Sequence, residues 1–154
     1  MVSEEKMLLE KRKADFEEFY RALIPSLVDF VGKMGISPAH EVLKHAVQFS
    51  PNLDHALENM ALTDDQDRSW LIMRMGYFIG EYFAQKHGGG WYVNEIQGSR
   101  YFARYVVGHF SRLGSAALMV DPFQIAQSYV DSPVPRRLEE LLAEVNAELA
   151  NGSK

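Results

Sequence analysis

Apolar side chains recur at helical spacing through residues 4–34, where Leu9, Phe16, Leu23 and Phe30 form one stripe that Phe19, Tyr20 and Leu27 fill in. The pattern predicts a long amphipathic helix, kinked or divided at Pro25 and stopped at Gly35. Two shorter helices should follow, about 38–48 with Val42, Leu43, Ala46 and Val47 inward, and about 51–62 with Leu53, Leu57 and Met60 inward. Over 64–87 apolar residues occupy nearly every azimuth, from Trp70 and Leu71 to Tyr82 and Phe83, which marks a central, buried helix. Gly76 and Gly80 clear one stripe of it for a closely approaching neighbour, and Gly88, Gly89 and Gly90 end it.

After Gly90 the period shortens. Trp91 to Val93, Tyr101 to Val107 and Ala116 to Val120 are short runs rich in aromatic and β-branched residues, separated by turn-prone Gln97-Gly98-Ser99 and Ser111 to Ser115. They predict a three-stranded antiparallel meander. Helices at about 122–130 and 133–149 should close the chain, the second with Leu138, Leu141, Leu142, Val145 and Leu149 on one stripe.

The helix starts share a device: Ser37-Pro38, Ser50-Pro51, Asp121-Pro122 and Ser132-Pro133 each set a capping side chain before a proline at the first helical position. Thr63-Asp64-Asp65-Gln66 has the spacing of a capping box. The expected fold is therefore α+β and mainly α, with about six helices and a small sheet, about 91–120, packed on the central helix 64–87. One domain over 1–154 holds the N-terminal helices 4–62, the central helix, the meander and the C-terminal helices 122–149.

Composition narrows the function classes. A chain of 154 residues that is 47% hydrophobic and 24% charged can bury a core unaided. Without cysteine it has no thiol nucleophile, disulfide or thiolate metal site, which suits a cytoplasmic location. Residues 1–13 are charged and carry no export signal, and the apolar run 70–84 is interrupted by Arg74 and Glu81, so no membrane span is expected. The net charge is −5 with scattered basic residues, which argues against a nucleic-acid partner.

Three near-motifs fail on spacing. His40 and His45 are five apart, too far round a helix to share a zinc ion, and read as solvent-facing. Asp64, Asp65 and Asp67 lack the glycine and glutamate of a calcium loop and suit a helix N-terminus. The triple glycine follows a helix and precedes a strand, the reverse of a phosphate loop. No catalytic residue, cofactor site or metal site is assigned.

More than half of the aromatic residues fall between Tyr77 and Phe110, with Arg100, Arg104 and Arg112 in or beside the same strands. Most must fill the core, yet aromatics beside arginine also make protein-binding hot spots. Glu81 stands among Tyr77, Phe78, Ile79, Tyr82 and Phe83, and a carboxylate there needs a partner, expected to be Arg74 or Arg104. The candidate partner- or ligand-binding residues are Arg74, Glu81, Tyr82, Trp91, Tyr92, Arg104, Tyr105 and His109. In the last helix Arg136 and Arg137 fall in the expected first turn while Glu140, Glu144 and Glu148 run toward its end, against the helix dipole. That acidic face is a second candidate surface.

Gly80-Glu81-Tyr82-Phe83, Lys86, Gly88-Gly89-Gly90-Trp91 and Asp121-Pro122-Phe123 together resemble a loosely defined group of small bacterial proteins, over about 70–129. In that group a helix ending G-E-Y and a K-x-G-G-x-W segment lead into short strands and a D-P helix, and some members are immunity proteins for secreted antibacterial toxins. The resemblance implies binding without catalysis: a cognate protein, such as a toxin, neutralised by contact through the sheet region or the last helix. A homodimeric adaptor paired through its first and last helices is the first alternative. A small-molecule-binding protein or enzyme with a pocket near Glu81, Arg74 and His109 is the second.

Overall fold

The computed structural model describes residues 3–115 and 117–153. Among the described residues five α-helices and a small sheet follow in the order α1 (Glu4–Lys33), α2 (Val42–Leu57), α3 (Asp65–His87), β1 (Gly90–Val93), β2 (Tyr105–Gly108), β3 (Met119–Val120), α4 (Pro122–Asp131) and α5 (Leu138–Gly152). The strands form an antiparallel meander in the order β1-β2-β3, as the alternation predicts. Trp91 lies opposite Val107, Val93 opposite Tyr105, and Val107 opposite Val120.

α1 runs through Pro25 without a break. It stops where expected, because Gly35 takes a left-handed φ of 80°. The Gly35 and Ile36 amides then satisfy the Gly32 and Val31 carbonyls in a reverse-turn cap. α3 begins one residue later than expected, with Asp64 accepting from the Asp67 amide at 2.8 Å and the Thr63 hydroxyl donating to Asp67 at 3.1 Å. Left-handed Gly88, with a φ of 72°, ends it.

The expected count of about six helices falls to five, because the two segments expected around Pro51 are one helix. Proline at position 51 removes the amide that would bond the Val47 carbonyl, and the Ser50 hydroxyl donates to that carbonyl instead, at 3.1 Å. Ser50 thus bridges the helix where capping was expected to start one. The irregularity in α2 lies at His45, with φ −129° and ψ 38°. There the Gln85 amide replaces a missing rung: its oxygen accepts from the Ala46 N–H at 2.8 Å and its nitrogen donates to the Val42 carbonyl at 3.0 Å. Upstream, a short 3₁₀ turn, Ala39–Glu41, precedes α2, and no side chain caps it at Ser37-Pro38. His40 and His45 are exposed, each within 4 Å of Glu41.

The Ser132-Pro133 start also fails. Ser132 ends α4, and α5 begins at Leu138, whose amide is accepted by Asp54 of α2 at 3.0 Å. Arg136 and Arg137 therefore precede the helix and its first turn carries Glu139 and Glu140, which relieves the expected conflict with the helix dipole at that end, while Glu144 and Glu148 still run toward the other. Arg136 is buried and does a separate job. Its guanidinium donates to the Leu57 carbonyl at 3.5 Å, to Met60 just beyond α2 at 2.8 Å and to Val130 at 3.4 Å, closing the carbonyl ends of α2 and α4 together.

α3 is the central helix, buried from Met75 to Gly80 and again at Tyr82 and Phe83. Leu23, Leu27 and Phe30 of α1, Leu53 and Leu57 of α2, Val107 of β2, Tyr129 of α4 and Leu142 of α5 share its core. Each fully buried side chain of this size contributes about 1.5–3 kcal/mol. The glycine stripe works as predicted: a Cβ at Gly76 would collide with the Phe123 ring, and one at Gly80 with the Trp91 ring. α4 and β1 thereby seat their aromatic side chains directly on α3.

β1 matches its apolar run with Gly90 added, whereas β2 and β3 are shorter than theirs. Residues 101–104 form a turn in place of the expected strand, because Asn94 pairs with both Ala103 and Arg104 across the loop mouth. The third strand is only Met119–Val120, and Ala116, the expected start of that run, lies outside the described residues. Among the described residues no helix is long and apolar enough to cross a membrane.

Candidate functional site

Glu81 meets neither expected arginine. Its carboxylate accepts from the Trp91 indole N–H at 3.2 Å, with the Gln85 side chain one turn on along α3. Burial raises its pKa above the ordinary glutamate value, and the Trp91 and Gln85 side chains offset part of that rise. Arg74 turns back on its own helix, donating to the Trp70 carbonyl at 3.2 Å with its guanidinium 4.7 Å from the Trp70 ring centre. Arg104 pairs with Asp121 at 2.8 Å. Geometry explains both departures: seven residues place Arg74 two turns from Glu81, while Trp91, seated on Gly80, is adjacent.

The remaining candidates divide by strand alternation. Trp91 and Tyr105 point to the helix-facing side of the sheet, where Phe19 of α1 stacks on Tyr105 at 4.3 Å and meets Trp91 edge-on at 5.4 Å. Tyr92 points the other way and stacks on exposed His109 at 4.0 Å. Tyr82 is buried against α5, its hydroxyl accepting from Asn146 at 3.1 Å while Asn146 meets His87 at 2.8 Å. Arg74, Tyr82 and the stacked pair of Tyr92 and His109 therefore belong to three separate local packings, while Glu81 is tied to Trp91. Arg104 and Tyr105 do come together with Trp91 around Phe19.

At that meeting point α1, α3, β2 and α4 enclose an open groove of about 470 Å³. Phe19, Ile72, Met73, Tyr105 and Phe123 make its apolar floor and walls, with Ser69, Asp121 and the two arginines Arg12 and Arg104 at the polar edge. Trp91 supports the floor from below, 5.4 Å from Phe19 and 5.8 Å from Phe123 between ring centres. The Tyr105 hydroxyl ties β2 to α1 by donating to the Arg12 carbonyl at 3.0 Å.

Arg104 is held by unusual backbone. Buried Ala103 adopts a left-handed φ of 62°, which costs a residue with a Cβ about 1–2 kcal/mol, and its N–H donates to the Asn94 carbonyl at 2.8 Å. The next residue then reaches Asp121. Asp121 in turn caps α4 through the amides of Phe123 at 3.1 Å and Gln124 at 3.2 Å. Both its oxygens are thus engaged, which leaves this carboxylate poorly suited to proton transfer and well suited to fixing Arg104 at the rim.

Of the sequence candidates, Arg104 and Tyr105 line this groove and Trp91 lies beneath it, while Arg12, Phe19, Ile72, Met73 and Phe123 line it without having been among them. Met73 gave no signal of this in the sequence, where it is one apolar residue among many on the central helix; the structure leaves it 45% exposed. No family model, curated protein or solved structure matches the chain.

Proposed function

We propose that this chain is a non-enzymatic protein-binding protein that engages its partner through the groove between α1, α3, β2 and α4, as the immunity partner of a toxin. The groove is the observation that carries this reading: an open apolar surface of about 470 Å³ with an aromatic floor and arginines at its edge has the make-up of a hot spot. Its apolar side chains would be withdrawn from water only by a partner. The G-E-Y and G-G-x-W resemblance supplies the immunity element of the proposal, and the engaged state of Asp121 favours recognition over catalysis.

Calorimetric titration with the product of the adjacent gene tests it. A one-to-one complex with a Kd below about 1 μM is expected, weakened at least tenfold by Met73→Asp. No heat of binding, together with unchanged growth of cells making the neighbour alone, would overturn it. A self-association reading draws on Met7, 59% exposed, and Leu8 near the start of α1. Light scattering on the eluting protein separates the two, since only self-association gives a dimer without added partner.

A further inference from the structure

The charge at the rim identifies the chemistry of what enters the groove. In a chain of net charge −5, the rim of this apolar surface carries two guanidinium groups and one carboxylate, that of Asp121, already engaged by Arg104 and by the α4 amides. Arg12 lies with its guanidinium carbon 5.9 Å from the centre of the Tyr105 ring and forms no ion pair among the described residues. Arg104 gives one terminal nitrogen to Asp121, is half exposed, and keeps further N–H donors free. A cationic segment would bring its charge up against both. A carboxylate would meet unsatisfied donors on aromatic supports, an arrangement that holds guanidinium groups ready for a planar anion.

The open form of the groove bears on the size of the occupant. Small-molecule sites enclose most of their ligand's surface, whereas this groove is open and its Met73 wall stands in solvent. Side chains projecting from a larger partner suit it better.

Resting on the partner-binding reading above, we infer that the groove receives an acidic, apolar segment of the partner protein, with large apolar side chains laid on Phe19, Met73 and Phe123 and a carboxylate held between Arg12 and Arg104. The carboxylate belongs to an Asp or Glu side chain or to a chain end, and the segment's apolar residues lie next to it in sequence.

Methyl-detected NMR on the full chain tests this with two blocked peptides, acetyl-Leu-Phe-Glu-Phe-Glu-amide and its lysine counterpart, and a third acid-free peptide ending in a free carboxylate. The glutamate peptide should shift the Ile72 and Met73 methyl signals with a Kd below about 1 mM, and Arg12→Glu should weaken it about tenfold or more. Comparable binding by the third peptide would assign the carboxylate to a chain end. Equal binding of the lysine peptide, or no shift at either methyl up to several millimolar, overturns the inference. Arg12→Glu is exposed and leaves the Asp121 pair intact, so loss of fold does not confuse the result. If the adjacent gene product binds wild type and Arg12→Glu equally, the groove assignment fails while partner binding stands. If peptides bind here and that product does not, the partner reading fails alone.

Discussion

Glu81 shows how a single ionisable residue is accommodated without a counter-ion. Its folded-state pKa lies above the ordinary glutamate value, so the folded chain holds the proton more tightly than the unfolded chain does. The stability this supplies is complete below the ordinary value and is lost as pH rises through the raised one. Glu81→Gln keeps an acceptor for the Trp91 indole and removes the charge. It should raise Tm by about 2–4 °C at pH 7, if its effect is about 1 kcal/mol, and flatten the fall in stability on the acid side of neutrality, read by thermal melts across pH. A lower Tm would mean that the charged form is the stabilising one. Tyr129 offers a parallel at the alkaline end. Its buried hydroxyl has no hydrogen-bond partner among the described residues, and burial pushes its pKa up to about 12. The stability it holds in protonated form is therefore lost between about pH 10 and that value, by the same linkage. Tyr129→Phe should cost less than about 1 kcal/mol at neutral pH, since no bond is broken, and should resist alkaline unfolding better, as a denaturation series by circular dichroism would read.

At the level of elements, α2 depends on side chains that mend its backbone. Gln85→Ala would leave the Val42 carbonyl and the Ala46 amide without partners and should destabilise the fold by about 2 kcal/mol, measurable by urea titration. In the sequence, Ser50 before Pro51 looks the same whether it caps a new helix or bridges an old one. Local chemistry is identical in both cases, and the choice is made by Leu53 and Leu57 continuing into the same core as Val42 and Ala46. Ser132-Pro133 misled for a related reason, because Arg136 and Asp54 settle the start of α5 from across the molecule. Where the determinants are local, the sequence was legible: Asp121 caps α4, Gly35 and Gly88 stop α1 and α3, and period-two alternation sets the meander. The groove was only partly legible, since Arg12 and Phe19 reach Tyr105 across more than eighty residues of chain and no spacing rule reports that contact.

Across the whole molecule the glycine stripe of α3 joins stability to the proposed surface. Gly80→Ala drives a methyl into the Trp91 ring and should cost about 1–3 kcal/mol, with loss of the Glu81 hydrogen bond. Gly76→Ala does the same to Phe123 and so deforms the groove floor as well, which should weaken partner binding beyond its effect on Tm. The arginines at the rim and the acidic outer face of α5 lie on different elements, and a partner need not use both. Hydrogen exchange on the complex with the adjacent gene product distinguishes them most directly. Binding through the groove predicts slowed exchange at the amides around Arg12, Ser69 to Met73 and Arg104 to Tyr105, while protection confined to α5, with these segments unchanged, would contradict it.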